Sequence, residues 1–160
     1  MIKSTNIILV AIFVAVCISS LVDANLKINS CPKMKNPAAN ITKLEISGCT
    51  NYPCLLKKNT NSTIKVNLHF HRKITDLKPK IAGVINGREI PFNVNDKDHC
   101  NLTVRTAKNC TINKGQLHKY EYSLPVLKEY PTLMVLIKYE IVDQKKNLIS
   151  CFTFPARIDN

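Results

Sequence analysis

The sequence predicts an all-β protein built as two antiparallel sheets packed face to face. Three observations carry that reading. Apolar residues recur at every second position rather than with the 3.6-residue period of a helix. Turn-forming residues separate the alternating runs. Beyond the first two dozen residues no stretch has helical periodicity.

Each run justifies one strand. Residues 41–47 set Leu44 and Ile46 against Lys43, Glu45 and Ser47. Residues 63–70 alternate cleanly, with Ile64, Val66, Leu68 and Phe70 on one face and Thr63, Lys65, Asn67 and His69 on the other. Such alternation is what a strand with one buried and one wet face requires. Asn86-Gly87 is the strongest turn signal, because both residues accept the positive φ of a type I′ hairpin. It joins a strand near 80–85 to one near 88–93. Residues 117–124 oppose Tyr120, Tyr122 and Leu124 to Lys119, Glu121 and Ser123. Residues 132–142 put Leu133, Val135, Ile137, Tyr139 and Ile141 on one face, with Lys138 and Glu140 opposite. A polar loop from Asp143 to Asn147 leads to a last strand at 148–156. Prolines at 53, 79, 91, 125, 131 and 155 are expected at strand edges or in loops, where a missing donor is tolerated.

The chain begins with a leader. A cationic start at Lys3 precedes an apolar run from Ile7 to Val16 that continues to Leu21, and Val22 and Ala24 supply small residues ahead of a cleavage point. This has the form of a secretory signal peptide over residues 1–24. The run is short for a membrane anchor and lacks a stop-transfer flank. Residues 25–160 then form one domain, long enough to bury a core of its own.

Secretion fits the cysteines. One of seven, Cys17, lies in the leader, and the even remainder of Cys31, Cys49, Cys54, Cys100, Cys110 and Cys151 reads as three disulfides. Six cysteines allow fifteen connectivities, and sequence alone does not select one. Short local loops favour Cys49–Cys54 and Cys100–Cys110, leaving Cys31 to meet Cys151. Four glycosylation sequons, at Asn40, Asn61, Asn101 and Asn109, suit passage through the secretory pathway.

Catalytic signatures are absent. There is no G-x-S-x-G, no H-E-x-x-H, no P-loop and no dinucleotide glycine fingerprint. Paired cysteines leave no thiolate nucleophile. His69 and His71 share a strand face without a third ligand at metal spacing, and Asp96, Asp98 and His99 offer too few oxygens for a calcium loop. No enzyme activity, cofactor or metal is expected. The net charge of +12 is spread over most segments. In a secreted, disulfide-bonded chain it argues for a solvated surface or attraction to anionic membranes rather than nucleic acid. A monomer is expected.

A local pattern goes further. Cys49-Thr-Asn-Tyr-Pro-Cys54-Leu-Leu precedes an alternating strand that ends at Phe70. Ile81-Ala-Gly83 to Pro91-Phe92 follows, then a cysteine pair, Leu124-Pro125-Val126 to Tyr130-Pro131, and Cys151-Phe-Thr-Phe-Pro155. This resembles the ML (lipid-recognition) family, most closely its Niemann–Pick type C sterol-transfer branch, from Cys31 to Pro155. The resemblance implies an immunoglobulin-like β-sandwich with the same three disulfides and an apolar slot between its sheets. Positions matching the family's sterol contacts are Ile46, Phe92, Pro125, Val126 and Tyr130. Alternation adds Ile64, Val66, Leu133, Val135, Ile137, Tyr139, Phe152 and Phe154 as lining candidates. Tyr139 and Phe152 stand where that branch often has tryptophan, which this chain lacks. The implied function is a non-enzymatic carrier of sterol, extracellular or lysosomal. The alternatives are a carrier of fatty acids or small semiochemicals, as in arthropod branches, an innate-immune lipid sensor, or an adhesion module with a solid core.

Overall fold

The computed structural model describes residues 26–32, 34–92, 94, 111–143 and 145–160. Nine strands are found among them: β1 (Asn29–Ser30), β2 (Ala39–Ile46), β3 (Cys54–Lys57), β4 (Thr60–Phe70), β5 (Lys78–Ile85), β6 (Arg88–Pro91), β7 (Leu117–Val126), β8 (Leu133–Val142) and β9 (Leu148–Asp159). They form the two expected sheets. The larger runs β1-β9-β8-β5-β6 with β3 also on β9, and the smaller runs β2-β4-β7.

All pairings are antiparallel except one: β3 runs parallel to β9, with Cys54 opposite Ala156 and Lys57 opposite Asp159. Because β8 takes one edge of β9 along its length, β1 and β3 share the other edge. This composite edge explains a departure from expectation. Pro155 lies inside β9 rather than at its end, in the stretch between the parts covered by β1 and by β3, where the far edge demands no donor. The strand therefore continues to Asp159, past its expected end at 156. Pro79 and Pro125 are tolerated similarly. Pro79 sits on β5 beyond the reach of β6, and Pro125 sits on β7, an edge strand.

The alternation reads directly onto burial. Ile64, Val66, Leu68 and Phe70 of β4 and Tyr120, Tyr122, Leu124 and Val126 of β7 face Val135, Ile137, Tyr139 and Ile141 of β8 and Phe152, Phe154, Ala156 and Ile158 of β9. On the outer face of the larger sheet, the Lys138 ammonium donates to Glu89 and Glu140 at 2.8 Å each, beside exposed Met134 and Leu136. Asn86 and Gly87 have φ of 50° and 77°, the all-positive geometry expected of that hairpin.

Two expected disulfides are present, Cys31–Cys151 and Cys49–Cys54. Cys100, Cys110, Asn101, Asn109, the Asp96–His99 cluster and the leader lie outside the described residues. Among the described residues, no three His, Cys, Asp or Glu side chains are grouped to hold a metal ion.

Candidate functional site: an apolar slot between the sheets

A void opens between the sheets at the end of the sandwich where β4 begins and β7 ends. From the smaller sheet, Ser62 and Ile64 of β4 and Leu124, Pro125 and Val126 of β7 line it. From the larger sheet come Leu56, Ile81, Ile137, Phe154 and Ile158, and Phe92 and Tyr130 complete the wall. These residues meet because each strand contributes its inward-facing set and the register brings those sets level, with Ile64 opposite Tyr122 and Ile137 opposite Phe154.

Phe92 and Tyr130 stand on loops that the backbone holds in place. The Phe92 amide donates to the Ile81 carbonyl at 2.9 Å, which prolongs the β5–β6 ladder by one bond. The Tyr130 amide donates to the Leu127 carbonyl at 3.2 Å, closing a turn after β7. Gly83 leaves room for Val135, since a Cβ there would sit 3.0 Å from Val135 Cγ2, while the Phe92 ring lies at an ordinary contact distance of 3.5 Å. Burial raises the Tyr130 phenol above its ordinary pKa, helped by the neighbouring Glu129 carboxylate, so its O–H remains available as a donor.

The void is small, about 20 Å³. That holds little more than one water, whereas small-molecule sites span about 300–1,000 Å³. The slot is thus closed, its walls in contact across the sandwich. Among the described residues no charged side chain lines it, and their polar groups in the wall are the Tyr130 phenol and the Ser62 hydroxyl, which is buried without a hydrogen-bond partner.

Of the thirteen residues expected at the site, seven surround this void: Ile64, Phe92, Pro125, Val126, Tyr130, Ile137 and Phe154. The other six do not reach it. Val66, Tyr139 and Phe152 lie one layer further into the sandwich, where Tyr139 stacks on Phe152 with ring centroids 5.1 Å apart. Ile46 packs beside Ile64 as its register partner, Val135 lies against the position of Gly83, and Leu133 pairs with Ile158. Leu56, Ser62, Ile81, Leu124 and Ile158 line the void without having been expected there. Alternation had already put Leu124 on the inward face, and Ser62 and Ile81 fall in step with Ile64 and Gly83. Leu56 belongs to a strand of four residues, too short to show a period, and Ile158 lies beyond the expected end of β9.

Comparison with known proteins agrees with this architecture. Residues 25–158 match the ML domain family. The chain is 34% identical over 119 residues to the NPC intracellular cholesterol transporter 2 homolog a of Drosophila melanogaster, covering 73% of this chain and 78% of that protein. It is 26% identical over 119 residues to the NPC intracellular cholesterol transporter 2 of Bos taurus, covering 74% and 77%. The crystal structure of a Niemann-Pick type C2 protein from the Japanese carpenter ant superposes with a TM-score of 0.71 at 20% identity, covering 83% of this chain and 99% of that one, and so shares the fold. A sandwich of two β-sheets with an apolar slot and a family match over residues 25–158 place this chain in the ML domain family.

Proposed function

We propose that this protein is a non-enzymatic carrier that takes a sterol into the slot between its sheets and releases it to an acceptor. The observation that carries the reading is an interior void with no charged group among the described residues of its wall, mouthed by Phe92 and Tyr130, in a chain whose relatives are named cholesterol transporters. Residues 1–24 act as a leader removed on secretion, and residues 25–160 form the binding domain, working outside the cell or in the lysosome as a monomer. Asn40 and Asn61 are exposed on the smaller sheet, where glycans would project away from the core. The basic surface favours approach to anionic membranes, from which cargo is drawn.

The closed slot asks for an opening step. A sterol occupies far more than 20 Å³, so the sheets part and the mouth loops swing as cargo enters. Ile46, Val66, Leu133, Val135, Tyr139 and Phe152 then become wall as the void deepens. Burying ~400 Å² of apolar ligand surface yields on the order of 10 kcal/mol at ~25 cal/mol/Å². Association, ordering and the lost wall-to-wall contacts take back much of it, leaving affinity in the micromolar range or tighter.

The decisive experiment delipidates the secreted protein, titrates it with a fluorescent sterol, and follows transfer between vesicles with and without anionic lipid. Saturable uptake at one sterol per chain supports the reading. A folded protein that takes up no lipid offered, and carries none by native mass spectrometry, would overturn it in favour of a module with a solid core.

A further inference from the structure

Four buried hydroxyls among the described residues, those of Ser62, Tyr120, Tyr139 and Ser150, have no hydrogen-bond partner beyond the one that the two phenols can offer each other. Two of them face one another at the inner end of the slot. Tyr139 on β8 is two residues beyond the void-lining Ile137 on the same inward face and is the register partner of the void-lining Ile81 on β5. Tyr120 comes from β7 in the opposite sheet. Their exposures are 0% and 1%. The two phenols interact with each other, and burial pushes both well above their ordinary pKa. Even a perfect mutual hydrogen bond would use one O–H and leave the second without an acceptor. A buried donor left unmade is destabilising, and two phenylalanines would fill the same space without that cost.

We propose that the Tyr120–Tyr139 hydroxyl pair is a polar subsite for a neutral oxygen, a hydroxyl or carbonyl, on the end of the lipid that enters the slot first. The subsite rests on the carrier reading above, with a sterol entering side chain first and its ring hydroxyl left at Tyr130, and it favours cargo that is also oxygenated at the leading end. A carboxylate does not suit it. Among the described residues no cation adds to the field at either phenol, and Asp76 adds negative potential at Tyr120. A fatty acid would therefore enter tail first, and a terminal hydroxyl on that tail would be what the subsite reads.

The test uses two matched pairs on the delipidated full-length secreted protein: cholesterol against 25-hydroxycholesterol, and hexadecanoic against 16-hydroxyhexadecanoic acid. The oxygenated member of a bound pair is expected to bind about tenfold tighter, the scale of one well-made hydrogen bond. Tyr139→Phe and Tyr120→Phe, which preserve ring packing, should each bring the pair towards parity by weakening the oxygenated member more than the plain one, and the double variant should raise the melting temperature of the empty protein. Equal affinity within the bound pair in the wild type, or a preference that survives in the double variant, overturns the subsite and leaves the carrier reading standing. If neither sterol binds, the sterol reading fails and the fatty-acid pair alone decides whether the subsite exists. Uptake of none of the four lipids overturns both.

Discussion

The Phe92 ring meets the Tyr130 ring edge-on, centroids 5.4 Å apart and planes at 69°, across the mouth of the void. Phe92 follows β6 of the larger sheet, and Tyr130 lies in the connection that leaves β7 of the smaller one, so the contact latches one sheet to the other. Such a pair adds about 0.5–1.5 kcal/mol beyond its buried area. Phe92→Ala removes both the latch and one wall of the slot. It should weaken sterol affinity tenfold or more, chiefly through faster release, and leave the β-sheet circular dichroism unchanged. An affinity within twofold of wild type would mean that cargo enters elsewhere.

Val126 tests the void from its other wall. It is 4% exposed and contacts a space of about 20 Å³. A benzyl group exceeds that space, so Val126→Phe both fills the slot and overpacks it. The expected cost is about 1–3 kcal/mol of stability, seen as a modest fall in melting temperature, with sterol uptake lost. Uptake that persists in a folded Val126→Phe protein would displace the slot from this end of the sandwich.

How much of this was legible beforehand follows from what a period of two can encode. It names the face of Ile64, Val66, Leu68 and Phe70, and all four are buried. It says nothing about which inward residues border a void and which pack solidly, because that depends on how far the sheets splay locally. Ile64 and Val66 sit on the same face of β4, yet only Ile64 reaches the void. Resemblance to the family, not alternation, pointed to Phe92, Pro125, Val126 and Tyr130 at the mouth. β1 and β3, of two and four residues, are too short to show any period. The parallel pairing of β3 with β9 depends on a chain reversal near the Cys49–Cys54 bridge that no local pattern announces.

The two disulfides differ in the chain they close. Cys31–Cys151 spans 120 residues of sequence and Cys49–Cys54 only 5. In the chain-entropy account, loops of these lengths are worth about 5 and about 2 kcal/mol. Replacing the first pair by serine should therefore lower the urea midpoint about twice as far as replacing the second. Equal losses would indicate that the short bridge acts by holding β3 on β9 rather than by restricting the unfolded chain.

Acid should loosen the fold at His118. Its ring packs edge-on against the fully buried Phe70, centroids 6.5 Å apart, and burial lowers its pKa from 6.5. A depressed base binds fewer protons folded than unfolded, so its contribution is present above about pH 6.5 and is lost as pH falls through that value towards the folded pKa. The melting temperature should drop between pH 7.5 and 5, and His118→Gln should shrink that drop. An unchanged difference in the variant would assign the proton uptake to another group.

Gly83 offers the sharpest packing test, because its missing side chain is occupied by its neighbours. A Cβ there would lie 3.0 Å from Val135 Cγ2 and 3.5 Å from Phe92 Cε2. Gly83→Ala gains about 0.4–1 kcal/mol by restricting the unfolded chain but must push Val135 aside, and overpacking of about 1–3 kcal/mol outweighs that gain. Val135→Ala removes the obstructing methyl groups and by itself leaves a cavity. The double variant should therefore be more stable than the two single losses predict, by about 0.5–3 kcal/mol, the range for residues in direct contact. Strict additivity in chemical denaturation would show that Val135 does not press on this position.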